Sequence, residues 1–161
     1  MTLHQWLYRG GRPNRLARAV NRLWAAVHSS GLLMPGRLVT LEVTGRHTGR
    51  TVALPLVVAR LGGRRYLVSM LGRDANWVAN VRAARGLAVL RHGTREHVRL
   101  VELPPAERAP VLRRYLAVAP GARPHLPVDR WAPLADFDAI AGQYPVFRVE
   151  PAAGARPAVR P

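Results

Sequence analysis

Hydrophobic positions recur along this chain with two different periods. Between Pro13 and about Gly31, Leu16, Val20, Leu23, Trp24 and Val27 fall at i, i+4, i+7, i+8 and i+11, with Arg15, Arg18 and Arg22 on the opposite face. The spacing predicts an amphipathic helix within residues 1–31, entered at Pro13 and stopped at Gly31. From residue 37 the period drops to two. In RLVTLEVTG (37–45) Val39, Leu41 and Val43 alternate with Thr40, Glu42 and Thr44, which predicts a half-buried strand. TVALPLVVAR (51–60) is almost wholly apolar and reads as one strand covered on both faces. Its Pro55 cannot donate to a ladder, so that strand must be interrupted or lie at an edge there. Gly62-Gly63 closes a hairpin into RRYLVSM (64–70).

Helical spacing returns in DANWVANVRAAR (74–85), with Asp74 as the expected N-cap. GLAVLRH and REHVRLVEL form a second hairpin around Gly93-Thr94. Residues 104–118 read as helical with a restart at Pro110, followed by a proline-rich loop to 133, a short helix near 136–141 and a last strand over 144–151. The tail, 152–161, has no periodicity and is expected to be disordered. Short, hairpin-linked strands interleaved with helices point to an α+β fold built on an antiparallel β-barrel, in a single domain over residues 1–151.

Two segments carry candidate chemistry. The turn TGRHTGR (44–50) sets Arg46, His47, Thr48 and Arg50 among two glycines, a concentration of donors suited to an anion. An ordinary basic hairpin turn is the plainer alternative. In LGRDANWVAN (71–80), Gly72 and Arg73 precede a helix N-terminus, and Asn76 and Asn80 share a face beside Trp77. Two amides and an indole suit a flat heteroaromatic ligand, against a packed tryptophan with two solvated asparagines. Nucleophile-elbow, Walker, dinucleotide-fingerprint and zinc-protease motifs are missing. The six histidines do not cluster at ligand spacings, so no metal is expected. Nine scattered carboxylates form no acid/base pair, so a bound cofactor would have to carry any reaction.

Charge sharpens this picture. All 25 basic residues are arginine, and with 9 acidic residues the formal net charge is +16. Arginine presents a permanently charged fork matched to phosphate and carboxylate, although GC-rich coding accounts for part of the excess. Aromatics make up only 6% of residues, and no RNP, KH or zinc-finger pattern occurs, so no specific nucleic-acid partner is expected. Non-catalytic binding of nucleic acid or a membrane surface stays as an alternative. There is no cysteine, no signal-like hydrophobic region in residues 1–30, and no apolar run approaching a membrane span. A cytoplasmic location is expected, with peripheral contact between the N-terminal helix and an anionic membrane left open.

Together the two segments resemble the deazaflavin-dependent nitroreductase family, within the flavin/deazaflavin split-barrel superfamily. The resemblance rests on T-G-R-x-[ST]-G, a following strand with Pro55-Leu56, a hairpin strand, and a short helix carrying W-x-x-N at Trp77 and Asn80; it covers roughly Arg37 to Gly93. It implies a split β-barrel of about six mostly antiparallel strands with peripheral helices. It also implies coenzyme F420, an 8-hydroxy-5-deazaflavin with a phosphate and a polyglutamate tail, with FMN as the alternative cofactor. Arg46, His47 and Thr48 would meet the phosphate or tail. Val52, Ala53, Leu54, Pro55, Leu56 and Val57 would lie along the ring, Val68, Ser69, Met70 and Leu71 would border it, and Asn76, Trp77, Val78, Ala79 and Asn80 would complete the pocket. The implied reaction is hydride transfer from reduced deazaflavin to a small-molecule acceptor: a quinone, an activated alkene or a nitroaromatic. The chain departs from the family at His47, where lysine is common, and at Val52, where a basic residue is common. In place of substrate-side tyrosines it offers Arg123, His125 and Asp129, with His125 the candidate proton donor. Oligomeric state stays open.

Overall fold

The computed structural model describes residues 37–154. The helix expected before residue 31 and most of the tail lie outside that range. Seven strands form one antiparallel sheet: β1 Leu38–Thr44, β2 Thr51–Val57, β3 Ala59–Leu61, β4 Arg64–Val68, β5 Leu87–His92, β6 Thr94–Glu102 and β7 Val146–Pro151. Their order is β2-β1-β5-β6-β7-β4-β3. The sheet therefore begins and ends on strands that are consecutive in the chain, with Val58 alone between them. Chain connectivity forces the two edges together, and the sheet curls into a split barrel. Val58 is buried at this seam, and its N–H donates to the Arg37 carbonyl at 2.7 Å.

The apolar run at 51–60 thus divides into two strands where one was expected. Pro55 sits opposite Thr40 on β2, whose other side pairs with no strand, so its missing N–H costs no ladder bond. Alternation on β1 buries Val39, Leu41 and Val43, and register aligns Leu41 with Leu54 on one side and Leu90 on the other. Phe147 lies opposite Leu67, and Val149 opposite Leu100, extending the same core layer. Glu96, opposite Leu90, and Arg65, two residues before Leu67, share that core-facing side and bond through two contacts of 2.8 and 2.6 Å. This pair replaces apolar packing at one end of the barrel.

Three helices complete the described fold: α1 Asn76–Ala83, α2 Ala109–Val118 and α3 Leu134–Ile140. From α1, Trp77 tilts against Phe147 with ring centroids 5.4 Å apart, and Val78 and Val81 are buried beside it. The N-cap expected at Asp74 is not formed. The cap position falls on Ala75, with no side-chain bond, because the chain at Asp74 is still inside the turn closed by the Ala75 N–H on the Gly72 carbonyl. Between α1 and β5, Gly86 has φ +82°, and a Cβ there would stand 2.4 Å from the Leu100 carbonyl oxygen. The same glycine's carbonyl accepts the Leu100 N–H at 2.7 Å, so this close approach is part of the ladder.

A charged cluster ties α1 to the sheet and to α2. Glu102 accepts two bonds from Arg82, at 2.9 and 2.6 Å, and one from Arg108 at 3.3 Å. Arg108 is buried and donates further to the Leu103 and Ala141 carbonyls, both at 2.9 Å. Hydrogen bonds from Arg82, opposed by partial burial, hold the Glu102 carboxyl below the ordinary carboxylate range.

Two expectations follow. Gly86→Ala should destabilise by more than about 1 kcal/mol, since it combines a left-handed backbone with a backbone clash; thermal unfolding measures it. Because the folded Glu102 pKa is depressed, its stabilisation is complete above the unfolded value and is lost as pH falls through the folded one. Glu102→Gln should therefore cost about 1.5–3 kcal/mol at neutral pH, the range for hydrogen bonds to charged groups. That difference should shrink progressively in denaturant titrations repeated at successively lower pH, starting below the usual carboxylate range.

Candidate functional site

The β1–β2 turn closes on itself before it can meet any ligand. Gly45 N–H donates to the Arg50 carbonyl at 2.7 Å, and Gly49 N–H donates to the Gly45 carbonyl at 2.8 Å. Gly49 takes φ +68°, a left-handed conformation that side-chain-bearing residues adopt with strain. The Thr48 hydroxyl oxygen accepts the Arg50 N–H at 3.2 Å. Arg46, His47, Thr48 and Arg50 are all exposed around this frame.

Arg46 joins the two segments singled out in the sequence. Asn80 Oδ1, on a buried side chain of α1, accepts the Arg46 main-chain N–H at 3.1 Å and Nη1 at 2.9 Å. One turn earlier, the Asn76 carbonyl accepts Nη1 at 3.3 Å and Asn76 Oδ1 accepts Nη2 at 3.4 Å. The i, i+4 asparagines share a face, as expected, but their oxygens hold an arginine where a heteroaromatic ligand was expected. A guanidinium has five N–H donors. Three are engaged in these bonds, leaving Nε–H and one Nη2–H for a further acceptor. With the neighbouring hydroxyl, His47 and Arg50, this donor set fits a phosphate or carboxylate group.

The remaining predicted residues divide by burial. Along β2, Leu54 and Leu56 point into the core opposite Leu41 and Val39, and Pro55 is buried as well. Val52, Ala53 and Val57 are half-buried and accessible. Trp77 and Val78 belong to the core, so α1 presents its asparagine face and the half-buried Ala79. Val68 at the end of β4 and Ser69 and Met70 after it are buried, and Leu71 is half-buried. The Ser69 hydroxyl donates to the Gly72 carbonyl at 2.7 Å, shaping the turn into α1.

That turn borders an open cavity of about 520 Å³ lined by Met70, Leu71, Gly72, Arg73, Asp74, His125, Gln143 and Tyr144. His125 therefore lines the same cavity as Met70 and Leu71, although 54 residues separate it from Leu71. It is brought there by a 3-10 segment, Pro120–His125, and by Tyr144, whose hydroxyl donates to the His125 carbonyl at 3.0 Å. Arg123 instead bonds the Leu116 and Ala117 carbonyls, and Asp129 accepts the Trp131 N–H at 2.7 Å; neither lines the cavity. Sequence reasoning missed Tyr144 and Gln143, which precede the last strand without any motif. None of the β1–β2 turn residues lines this cavity; α1 and its entry connect the two places. Among the described residues no three His, Asp or Glu side chains are grouped to hold a metal, and no helix is long and apolar enough to cross a membrane.

Several solved structures share features of this fold. An F420-H2 dependent reductase aligns with 20% identity over 71% of this chain and 94% of its own, at a TM-score of 0.49. An FAD-binding protein from Mesorhizobium loti aligns with 16% identity over 77% and 85%, at 0.45. A heme binding protein from Mycobacterium smegmatis aligns with 13% identity over 89% and 57%, at 0.47. No curated protein matches the sequence. The F420H(2)-dependent quinone reductase family does match, over residues 15–133, well over half of the chain. The protein belongs to that family and is an F420-dependent oxidoreductase.

Proposed function

We propose that the protein uses reduced F420 to convert a quinone to its quinol. The β1–β2 turn would hold the coenzyme's acidic side chain, and the cavity beside Met70 and His125 would receive the acceptor. The observation that carries this reading is the Arg46–Asn80 contact. It fixes a basic turn against the helix that leads from the cavity, so both halves of a charged, extended ligand meet one rigid element. The family's name favours a quinone over an activated alkene or a nitroaromatic, and a cavity of about 520 Å³ is of the size that takes a small organic molecule.

When bound, the coenzyme supplies a hydride from its reduced deazaflavin ring. The chain supplies the rest. Arg46, with Thr48 and Arg50, binds the anionic side chain. The half-buried residues Val52, Ala53 and Val57, together with Leu71, offer apolar surface to the ring. Met70, Leu71 and Tyr144 hold the acceptor and displace water from it. His125, at the cavity wall, gives the proton that completes the quinol.

Titrating the protein with F420, and with FMN in parallel, tests the coenzyme; following oxidation of reduced F420 by a quinone, an enone and a nitroaromatic tests the acceptor. Saturable F420 binding with fastest turnover on the quinone is expected. Turnover of the nitroaromatic alone would contradict the quinone reading. Arg46→Ala should weaken F420 binding by about 1.5–3 kcal/mol, the range for a hydrogen bond to a charged group, and unchanged affinity would remove Arg46 from the site. His125→Ala should lower the turnover number by about 100-fold or more while leaving F420 affinity unchanged, as expected for loss of a proton donor. An equal fall in affinity would instead place His125 in coenzyme binding.

A further inference from the structure

The groups that hold Arg46 differ in kind from those that hold other ordered arginines. Among the described residues, Arg65, Arg82, Arg95 and Arg148 each bond a glutamate at 2.6–2.9 Å. Buried Arg108 combines Glu102 with two main-chain carbonyls, and Arg123 uses the Leu116 and Ala117 carbonyls at the end of α2. Arg46 is gripped by side-chain amides: Asn80 Oδ1 at 2.9 Å and Asn76 Oδ1 at 3.4 Å, supplemented by the Asn76 carbonyl. It forms no ion pair with a carboxylate among the described residues.

For holding an arginine this choice is inferior. A carboxylate at position 80 is the same shape as the amide, offers the same oxygen, and adds a charge–charge attraction to the bond. It would also reduce the net charge of the pair to zero, and with it the attraction for a second anion. A neutral acceptor gives the opposite result. Asn80 Oδ1 fixes Arg46 at the main chain and at the guanidinium together, and the full positive charge remains. The two uncommitted donors then point that charge at whatever lies outside the turn.

We propose that Asn80 is a positioning residue that orients Arg46 through a neutral acceptor, so that the guanidinium charge is presented undiminished to a phosphate or carboxylate on the side chain of the coenzyme. The inference rests on the coenzyme reading above. It adds that a near-isosteric exchange, Asn80→Asp, preserves the fold of the turn and removes the function of Arg46.

The test compares the wild type with Asn80→Asp and with Asn76→Asp, which adds the same charge on the more accessible side should the first variant fold poorly. Four ligands are titrated: F420, F420 without its glutamates, the deazaflavin chromophore without phosphate or glutamates, and inorganic pyrophosphate, the last by its effect on melting temperature. Asn80→Asp should melt at or above the wild-type temperature. Its F420 affinity should fall about tenfold or more, and its salt dependence should flatten, because one charge–charge contact is lost. Affinity for the phosphate-free chromophore should not change, and pyrophosphate should raise the melting temperature of the wild type alone. F420 without its glutamates distinguishes the two sources of anion: retained sensitivity to the substitution assigns phosphate, and lost sensitivity assigns the tail.

Wild-type F420 affinity in Asn80→Asp, or an equal loss for the phosphate-free chromophore, would overturn the positioning role while leaving the coenzyme reading intact. A wild type stabilised by pyrophosphate through Asn80 yet indifferent to F420 would do the reverse, keeping the anion receptor and removing the coenzyme. Response to neither would overturn both.

Discussion

The fold depends on one constraint of connectivity. β2 and β3 occupy opposite ends of the seven-strand order, and only Val58 lies between them. A flat sheet cannot satisfy that arrangement, because its ends would be separated by the width of the other five strands, at roughly 4.8 Å each. Curling is therefore obligatory, and with it an interior into which Leu41, Leu54, Leu90, Leu67 and Phe147 converge. The closed sheet then sets the place of everything functional. The β1–β2 turn projects from one rim, β4 ends in the turn that enters α1, and α1 is anchored by Trp77 on Phe147 and by Arg82 on Glu102.

On that frame the chain uses arginine in two ways. Where strands and helices must be held, the guanidinium meets a glutamate, as in Arg65–Glu96 and Arg82–Glu102. At Arg46, the proposed anion site, it is steadied by amides and left charged. The distinction matters in a protein with a net charge of +16, because most surface arginine attracts anions weakly and without orientation. Fixing one of them in advance removes the ordering cost that binding would otherwise impose.

Much of this was legible in the sequence, for physical reasons that differ by element. Strict alternation showed which face of β1 is buried, and the Gly62-Gly63 pair marked the hairpin into β4. Pro55 marked its strand as either interrupted or at an edge, and the pairing places it at an edge. The division at Val58 was not legible, since β2 and β3 form one apolar run and only long-range pairing separates them. Nor was the helix start, where the turn closed by Gly72 outweighed the capping propensity of Asp74. At the site, the sequence identified the turn and the asparagines, but their contact spans 34 residues and no local pattern encodes it. Of the residues expected at the ring on β2 and α1, Leu54, Leu56, Trp77 and Val78 are buried in the core, a distinction an all-apolar run does not reveal. Tyr144 reached the cavity through the return of the last strand, and nothing near it in sequence announced that.

A crystal structure of the protein with oxidised F420 tests the account most directly. An acidic group of the coenzyme should lie on the free edge of the Arg46 guanidinium, with Asn80 still bonded to its other side, and the deazaflavin ring should approach Leu71 and the half-buried residues of β2. A coenzyme bound elsewhere, with Arg46 touching only asparagine, would show that the clamp is structural and would contradict the site described for this family member.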